Sequence, residues 1–461
     1  MTLADVRALR PDRPLPVAAT RDEARALLRL AFPLVLIALV NMGMSVTDTA
    51  MVSVLFGPRA LASVAVGSDL YSILFYLGAG LLAGLSPFYT AAVASGGAGR
   101  MRALRRLGAR MVLGLGLLLA PVAWAGPLWL PHLGLDAGLL AEGSGYARAM
   151  ALTLVPMLGV VLCRTLLTAA ERPRLLHMVT LAMLPLNALG NWALMTGPGP
   201  LPAFGPTGAG LSSLLVACAS LGLLVVADRR LSPRGAGWAT VDRAMARDVM
   251  RLGLPLAVVS LAELGVWLGA TLYAGRLGAD AVAGHALALR TAGVAYAVPM
   301  ALLQATMVRT ARARATGEAQ RERAVIRAGL ALALAGGLAL CLLLSALAGP
   351  LAWAALGEGP LAGTAAGLLG LLALAHLAMG AGAVAGGVLR GRKEARAAMA
   401  FVLWGHWALG VPLALALCEG WGPIPALGVA GLWLGLSAGM LATAALSLGR
   451  VLGLRLPPPG V

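Results

Sequence analysis

The sequence predicts an all-α integral membrane protein, with twelve transmembrane helices in two parallel six-helix repeats. Three observations predict it. Of the 461 residues, 59% are hydrophobic and only 12% are charged, whereas about a quarter of the residues of an ordinary soluble chain carry charge. The chain is also written twice: Arg29-Leu30-Ala31-Phe32-Pro33-Leu34 returns as Arg251-Leu252-Gly253-Leu254-Pro255-Leu256, an offset of 222 residues (251 minus 29). Finally, arginines crowd into every second loop and are nearly absent from the others.

A span needs about 20 mostly apolar residues. Twelve such stretches, here α1 to α12, run roughly over 30–55, 61–93, 107–131, 143–169, 174–196, 206–228, 248–275, 281–308, 326–348, 360–389, 397–417 and 426–449. The segment before α1 holds Arg7, Arg10, Arg13, Arg21, Arg25 and Arg29. Between α2 and α3 stand Arg100, Arg102, Arg105, Arg106 and Arg110, and between α4 and α5 Arg172 and Arg174. The linker between α6 and α7 holds Arg229, Arg230, Arg234, Arg243 and Arg247, with Arg251 just beyond. Arg309, Arg312, Arg314, Arg321, Arg323 and Arg327 surround the loop after α8, and Arg390, Arg392, Lys393 and Arg396 the loop after α10. The alternate loops carry only Arg59 and Arg276. One missed span would scramble this alternation, so it supports the count of twelve. By the positive-inside rule it places both termini and the linker in the cytoplasm.

Six spans bring each half back to the side on which it began. The halves are therefore parallel repeats about an axis along the membrane normal, and substrate sites of transporters lie where such repeats meet. The expected organisation is a cytoplasmic tail over 1–29, a bundle over 30–228, a linker over 229–247, a second bundle over 248–449 and a tail over 450–461. The offset holds from Leu167–Arg174 onto Leu389–Arg396 and slips by one near the ends, where Gly210-Leu211 lies over Gly431-Leu432.

Several function classes are excluded or disfavoured. The net charge of +17 sits in loops between apolar runs, which points away from nucleic acid. Cys163, Cys218, Cys341 and Cys418 stand singly in apolar stretches, so neither a zinc site nor a disulfide framework is expected. No phosphate-binding loop motif is present, which disfavours ATP-driven transport by this chain. No apolar core follows the early arginines, so no cleavable signal peptide is expected. His285, His376 and His406 lack a metal-ligand spacing and read as packed side chains. No nucleophile–base constellation marks an enzyme.

Polar residues inside the spans carry the functional argument, because ionisable groups there are costly and face a bundle interior or an aqueous cavity. Asp48 lies well inside α1 between Thr47 and Thr49, with Asn41 two turns earlier. Asn187 and Asn191 share one face of α5. Asp69 lies in α2, Glu263 in the middle of α7 and Arg290 in α8. The repeat superposes Asn41 on Glu263 and, at offset 221 (290 minus 69), Asp69 on Arg290. Two pairings of Arg290 follow, one with Asp69 across the interface of the halves and one with Glu263 on the neighbouring helix. Asp48 likewise has two readings. It is either a structural carboxylate bonded to α5 or α6, or a cation or proton site with neutral oxygens from Asn187, Asn191 and Ser213, a set that suits a hard ion such as sodium.

The sequence resembles the multidrug and toxic-compound extrusion family, the MATE antiporters, from about Arg29 to Gly449. The resemblance rests on Val46-Thr47-Asp48-Thr49-Ala50-Met51 with Gly57 and Ala60-Leu61-Ala62, on Gly208-Ala209-Gly210, on Ala283-Gly284-His285 with Val298-Pro299-Met300, and on Val388-Leu389-Arg390-Gly391. It implies two six-helix bundles around a V-shaped central cleft, in the inner (plasma) membrane. It also implies export of amphipathic, often cationic, organic compounds such as drugs in exchange for sodium ions or protons, with membrane lipid as the surroundings and no cofactor beyond the transported ion. Asp48 matches the family's acidic residue on α1. Asn187 and Asn191 match α5 positions around a first-half cation site, Ser213 stands where threonine is usual, and Asp48 becomes a sodium-ligand candidate. Glu263 matches the acidic residue on α7 of the NorM-type branch and, with Asn41, Asp69 and Arg290, is assigned to the substrate cavity. The chain departs from that branch at Met379, where an aspartate is frequent, at Arg290, where asparagine is frequent, and at Asn191, where some members have aspartate. The alternative reading is a lipid-linked saccharide flippase of the same superfamily, which needs a larger and more basic cavity.

Overall fold

A computed structural model describes residues 17–133, 137–231, 241–423 and 425–453. Arg7, Arg10, Arg13 and Arg234 lie outside the described residues. Among those described, every regular element is helical, and twelve helices are long and apolar enough to cross a membrane. They are α1 Ala18–Gly57, α2 Arg59–Ala94, α3 Ala98–Trp124, α4 Ser144–Ala169, α5 Arg174–Thr196, α6 Thr207–Ala227, α7 Arg243–Arg276, α8 Asp280–Ala315, α9 Ala319–Leu356, α10 Pro360–Gly391, α11 Ala395–Glu419 and α12 Gly428–Leu452. The chain is an integral multi-pass membrane protein. A helix satisfies its own backbone hydrogen bonds, which a span in hydrocarbon must do.

The first turn of chain is short for a physical reason. Only Gly57, with φ 82 and ψ −178, breaks the helix between α1 and α2. A side chain is strained at such a φ, and the following Pro58 is suited to opening the next helix.

Two expected boundaries shift. Helix begins at Val17, so residues 17–29 extend α1 instead of forming a tail. The reason is an amphipathic stripe hidden among the arginines. Glu23, Leu27, Leu30, Ala31 and Leu34 are buried at helical spacing, while Arg21, Arg25 and Arg29 are exposed. The linker expected over 229–247 is also narrower, because one helix continues to Leu231 and the next starts at Arg243.

The chain divides into two compact units. One spans Leu36–Leu261, and the other combines the residues up to Val35 with Ala262 onward. The divisions thus fall inside α1 and α7, not in the linker. Within the first unit, a Cβ on Gly253 of α7 would lie 2.5 Å from the Leu81 carbonyl oxygen, and one on Gly84 of α2 would lie 2.7 Å from Gly253 Cα. Glycine at both positions lets two backbones touch, the packing that membrane helices use when no hydrophobic force separates protein from solvent. The start of α7 is thereby fastened to α2. Within the second unit, Glu23 of α1 accepts two bonds from Arg309 Nη2 at 2.7 and 2.8 Å and one from Arg321 Nε at 2.8 Å. The Glu23 and Arg309 side chains are 8% and 7% exposed. This forked, charge-assisted contact ties the start of α1 to α8 and α9. In each unit the most enclosed helix is the same repeat element, α4 in the first and α10 in the second.

Removing one partner of a buried ion pair leaves the other uncompensated, at a cost of about 3–5 kcal/mol. Glu23→Ala should therefore lower the melting temperature of the purified protein markedly. Asp22→Ala should leave it nearly unchanged, because the Asp22–Arg25 pair is exposed. Equal melting of the two variants would contradict this assignment.

Candidate functional site

Asp48 is half-buried on α1 and faces α5. Asn187 Nδ2 donates to Asp48 Oδ1 at 3.0 Å, and Asn191 Nδ2 donates to the same oxygen at 2.5 Å. The four-residue spacing puts both amides on one face of α5, one turn apart. The two asparagines are 2% and 0% exposed. Their Oδ1 atoms are buried without a hydrogen-bond partner, and only one Asp48 oxygen is engaged by the amides. The cluster therefore presents carboxylate and amide oxygens together, and among the described residues the donors to the carboxylate are these two neutral amides. Such oxygens fit a proton or a hard cation. Thr47 and Thr49 do not join in: each hydroxyl donates to the carbonyl four residues back on its own helix, at 2.9 Å.

The serine that meets the cluster is Ser212. It is 1% exposed, and its hydroxyl donates to the Asn187 carbonyl at 3.2 Å. A Cβ on Gly190 would lie 2.6 Å from Ser212 Oγ, so glycine there lets α6 come close to α5. Ser213, the residue expected from the sequence, stands about 100° further round α6, and among the described residues no hydrogen bond joins it to the cluster.

Sequence reasoning also missed Tyr146. It is buried on α4, its hydroxyl faces Ser68, and the charges of both Asp48 and Asp69 act on it. Gly67 and Gly210 make room for its ring, since a Cβ on either would lie 3.1 Å from ring carbons. Asp69 is half-buried on α2 in the same unit. Its proposed partner Arg290 is an exposed residue of the second unit. Asn41 is exposed on α1 in the first unit. A faint signal for Tyr146 existed, a polar aromatic two residues into the span.

The second unit places Glu263, partly buried, on α7. The cation that acts on it is Arg390, which also acts on the Tyr296 phenol. Among the described residues no ion pair joins Glu263 to Arg290, one of the two pairings expected for Arg290. Arg390 Nε is buried and without a hydrogen-bond partner. His285 is a packed histidine: Trp433 Nε1 donates to its Nδ1 at 3.2 Å, and its Nε2 lies 3.1 Å from Thr271 Oγ. Among the described residues no three or more His, Cys, Asp or Glu side chains gather as a metal-binding set.

These features can be set beside known proteins. The MatE family model matches residues 33–193 and again residues 255–416. The chain belongs to the MatE family. The two matches start 222 residues apart (255 minus 33), which is the offset of the internal repeat. A protein of Mesorhizobium japonicum named "Probable multidrug resistance protein NorM" is 32% identical, over 95% of this chain and 96% of its own length. One of the same name from Bradyrhizobium diazoefficiens is 30% identical, over 95% and 94%. Among solved structures, the outward-facing conformation of a multidrug resistance MATE family transporter has a TM-score of 0.85 at 18% identity, over 95% of this MatE chain and 98% of that one. The eukaryotic MATE transporter AtDTX14 has a TM-score of 0.83 at 18% identity, over 95% and 97%. At that identity the structures speak for the fold.

The contrast between adjacent serines is testable. Ser212→Ala should lower transport severalfold, about what losing 1 kcal/mol of hydrogen bonding implies, by loosening the Asn187 backbone. Ser213→Ala should leave transport unchanged. A larger defect in the Ser213 variant would reverse the assignment.

Proposed function

We propose that this MatE-family chain is a secondary antiporter. It exports amphipathic, often cationic, organic compounds across the inner (plasma) membrane in exchange for protons or sodium ions, with Asp48 as the coupling carboxylate. Both termini and the linker are assigned to the cytoplasm from the arginine distribution. The names of relatives about 30% identical over most of the chain support the multidrug substrate class, and they do not favour the saccharide flippase alternative.

One observation carries the choice of Asp48. Its carboxylate is met by two neutral amide donors whose own carbonyl oxygens are buried and unpartnered. Glu263, in contrast, feels the built-in cation Arg390. A cation or proton entering the first unit finds an uncompensated carboxylate, while in the second unit it competes with a fixed guanidinium. Met379 supplies no further carboxylate on α10. Ion binding at Asp48 shifts the conformational equilibrium by the difference in its affinity for the two states, and no more. Export follows if the substrate and the ion prefer opposite states. Asn41, Asp69, Arg290 and Glu263 are assigned to substrate contact, with Glu263 attracting cationic compounds.

Reconstituted vesicles given a sodium gradient alone, and then a pH gradient alone, identify the coupling ion as the one that drives efflux of a fluorescent organic cation. Asp48→Asn should abolish efflux under the active gradient while the melting temperature stays within a few degrees, and Glu263→Gln should give a partial, substrate-dependent loss. Near-normal coupled efflux by Asp48→Asn would sink the assignment.

A further inference from the structure

A groove runs along the outside of the first unit between α3 and α4. It is lined by Leu113, Gly116, Leu117 and Trp124 of α3 and by Leu152 and Val155 of α4, and it encloses about 500 Å³. Its floor is set by a missing side chain, since a Cβ on Gly116 would lie 2.6 Å from Val155 Cγ2. Its walls are open to the surroundings: Leu117 is 80% exposed, Leu113 60% and Leu152 49%. Around a membrane protein these surroundings are acyl chains.

Two further observations say what kind of lipid fits. The lining on α3 extends over the twelve residues from Leu113 to Trp124, eleven steps that make about 16 Å of helix. That is about half of a hydrocarbon core roughly 30 Å thick, so the groove spans one leaflet. The leaflet is the one away from Arg100, Arg102, Arg105, Arg106 and Arg110, which stand at the other end of α3. At the groove's outer end the Arg148 guanidinium lies over the Trp124 ring, 5.7 Å from its centroid. Trp is the residue that marks the headgroup level. Arg148 stands one helical turn before Leu152 on α4 and makes no ion pair among the described residues. Offset 222 puts Gly370 and Ala346 at the positions of Arg148 and Trp124, so the second copy lacks both groups. The pair is therefore no relic of the duplicated scaffold.

We propose that this groove binds one phospholipid with a net negative headgroup. An acyl chain lies between α3 and α4, and the phosphate is held by Arg148. A guanidinium placed over an indole face still has N–H donors to offer phosphate oxygens. A headgroup with its own ammonium would bring a second cation beside Arg148, which is why the anionic class is favoured over the zwitterionic.

The protein reconstituted in nanodiscs of equal phosphatidylglycerol and phosphatidylcholine, and then released for native mass spectrometry, reads the site directly. The intact protein should retain one phosphatidylglycerol in about fivefold preference, the worth of one basic residue at an anionic surface. Arg148→Gln should retain a lipid without preference. Leu152→Trp, which fills the groove from an exposed position, should retain neither lipid at that stoichiometry. Melting curves confirm that both variants are folded. Equal retention of the two lipids by the unaltered protein, or an undiminished preference in Arg148→Gln, overturns the proposal.

Discussion

A carboxylate at the depth of Asp48 has to be stabilised locally, and the rest of the first unit is arranged around how α5 does this. Placing Asn187 and Asn191 one turn apart aims two amide donors at a single carboxylate oxygen. The same turn leaves both amide oxygens buried and facing no donor. Each buried acceptor without a partner costs about 1–3 kcal/mol, so the amides that stabilise the carboxylate leave their own oxygens unmatched. Ser212 and Gly190 hold α6 against this turn, and Tyr146 sits between Gly67 and Gly210 where it feels both acidic groups. Small residues and hydroxyls at these positions serve one purpose: they let four helices meet around one charge.

The two copies solve the problem of an intramembrane acid in different ways. The first surrounds Asp48 with neutral donors, whereas the second sets Arg390 against Glu263. Over Asp48, Asn187 and Asn191 the repeat places Ala270, Leu409 and Leu413, so the second copy lacks the polar groups of the same cluster. A duplicated scaffold has thus kept its helix packing, with α4 and α10 as matching enclosed helices, while its chemistry has diverged.

What was legible in the sequence follows from what periodicity and charge can report. Span count and the repeat were readable because hydrocarbon thickness and loop arginines act over whole segments. Asp48 with Asn187 and Asn191 was readable because a four-residue spacing fixes one face. The choice between Ser212 and Ser213 was not, since adjacent residues differ by about 100° of helix rotation and only the packing of α6 on α5 sets the phase. Arg390 was counted among loop cations because it ends α10, yet its long side chain reaches a buried environment, as flexible cationic stems do. The helix over residues 17–29 was hidden for a similar reason. Its arginines dominate the composition, while the buried stripe of Glu23, Leu27, Leu30, Ala31 and Leu34 is visible only when taken at helical spacing.

That stripe bears on how the chain divides. Sequence symmetry places the boundary between halves in the polar linker, but packing places it at Val35 and Leu261, inside α1 and α7. The reason lies in two contacts that are chemically unlike. The Gly84–Gly253 approach in one unit is a backbone contact that any side chain would block. The Glu23–Arg309–Arg321 cluster in the other is a buried charge contact. Each captures the first turns of a helix whose remainder belongs to the other unit. Asn41 and Glu263, the superposed polar residues of α1 and α7, stand within a few residues of these divisions. The two helices that carry these polar residues are thus each shared between the units. Asp48 lies less than four turns beyond the division in α1, on the same helix that carries the buried Glu23 contact at its start.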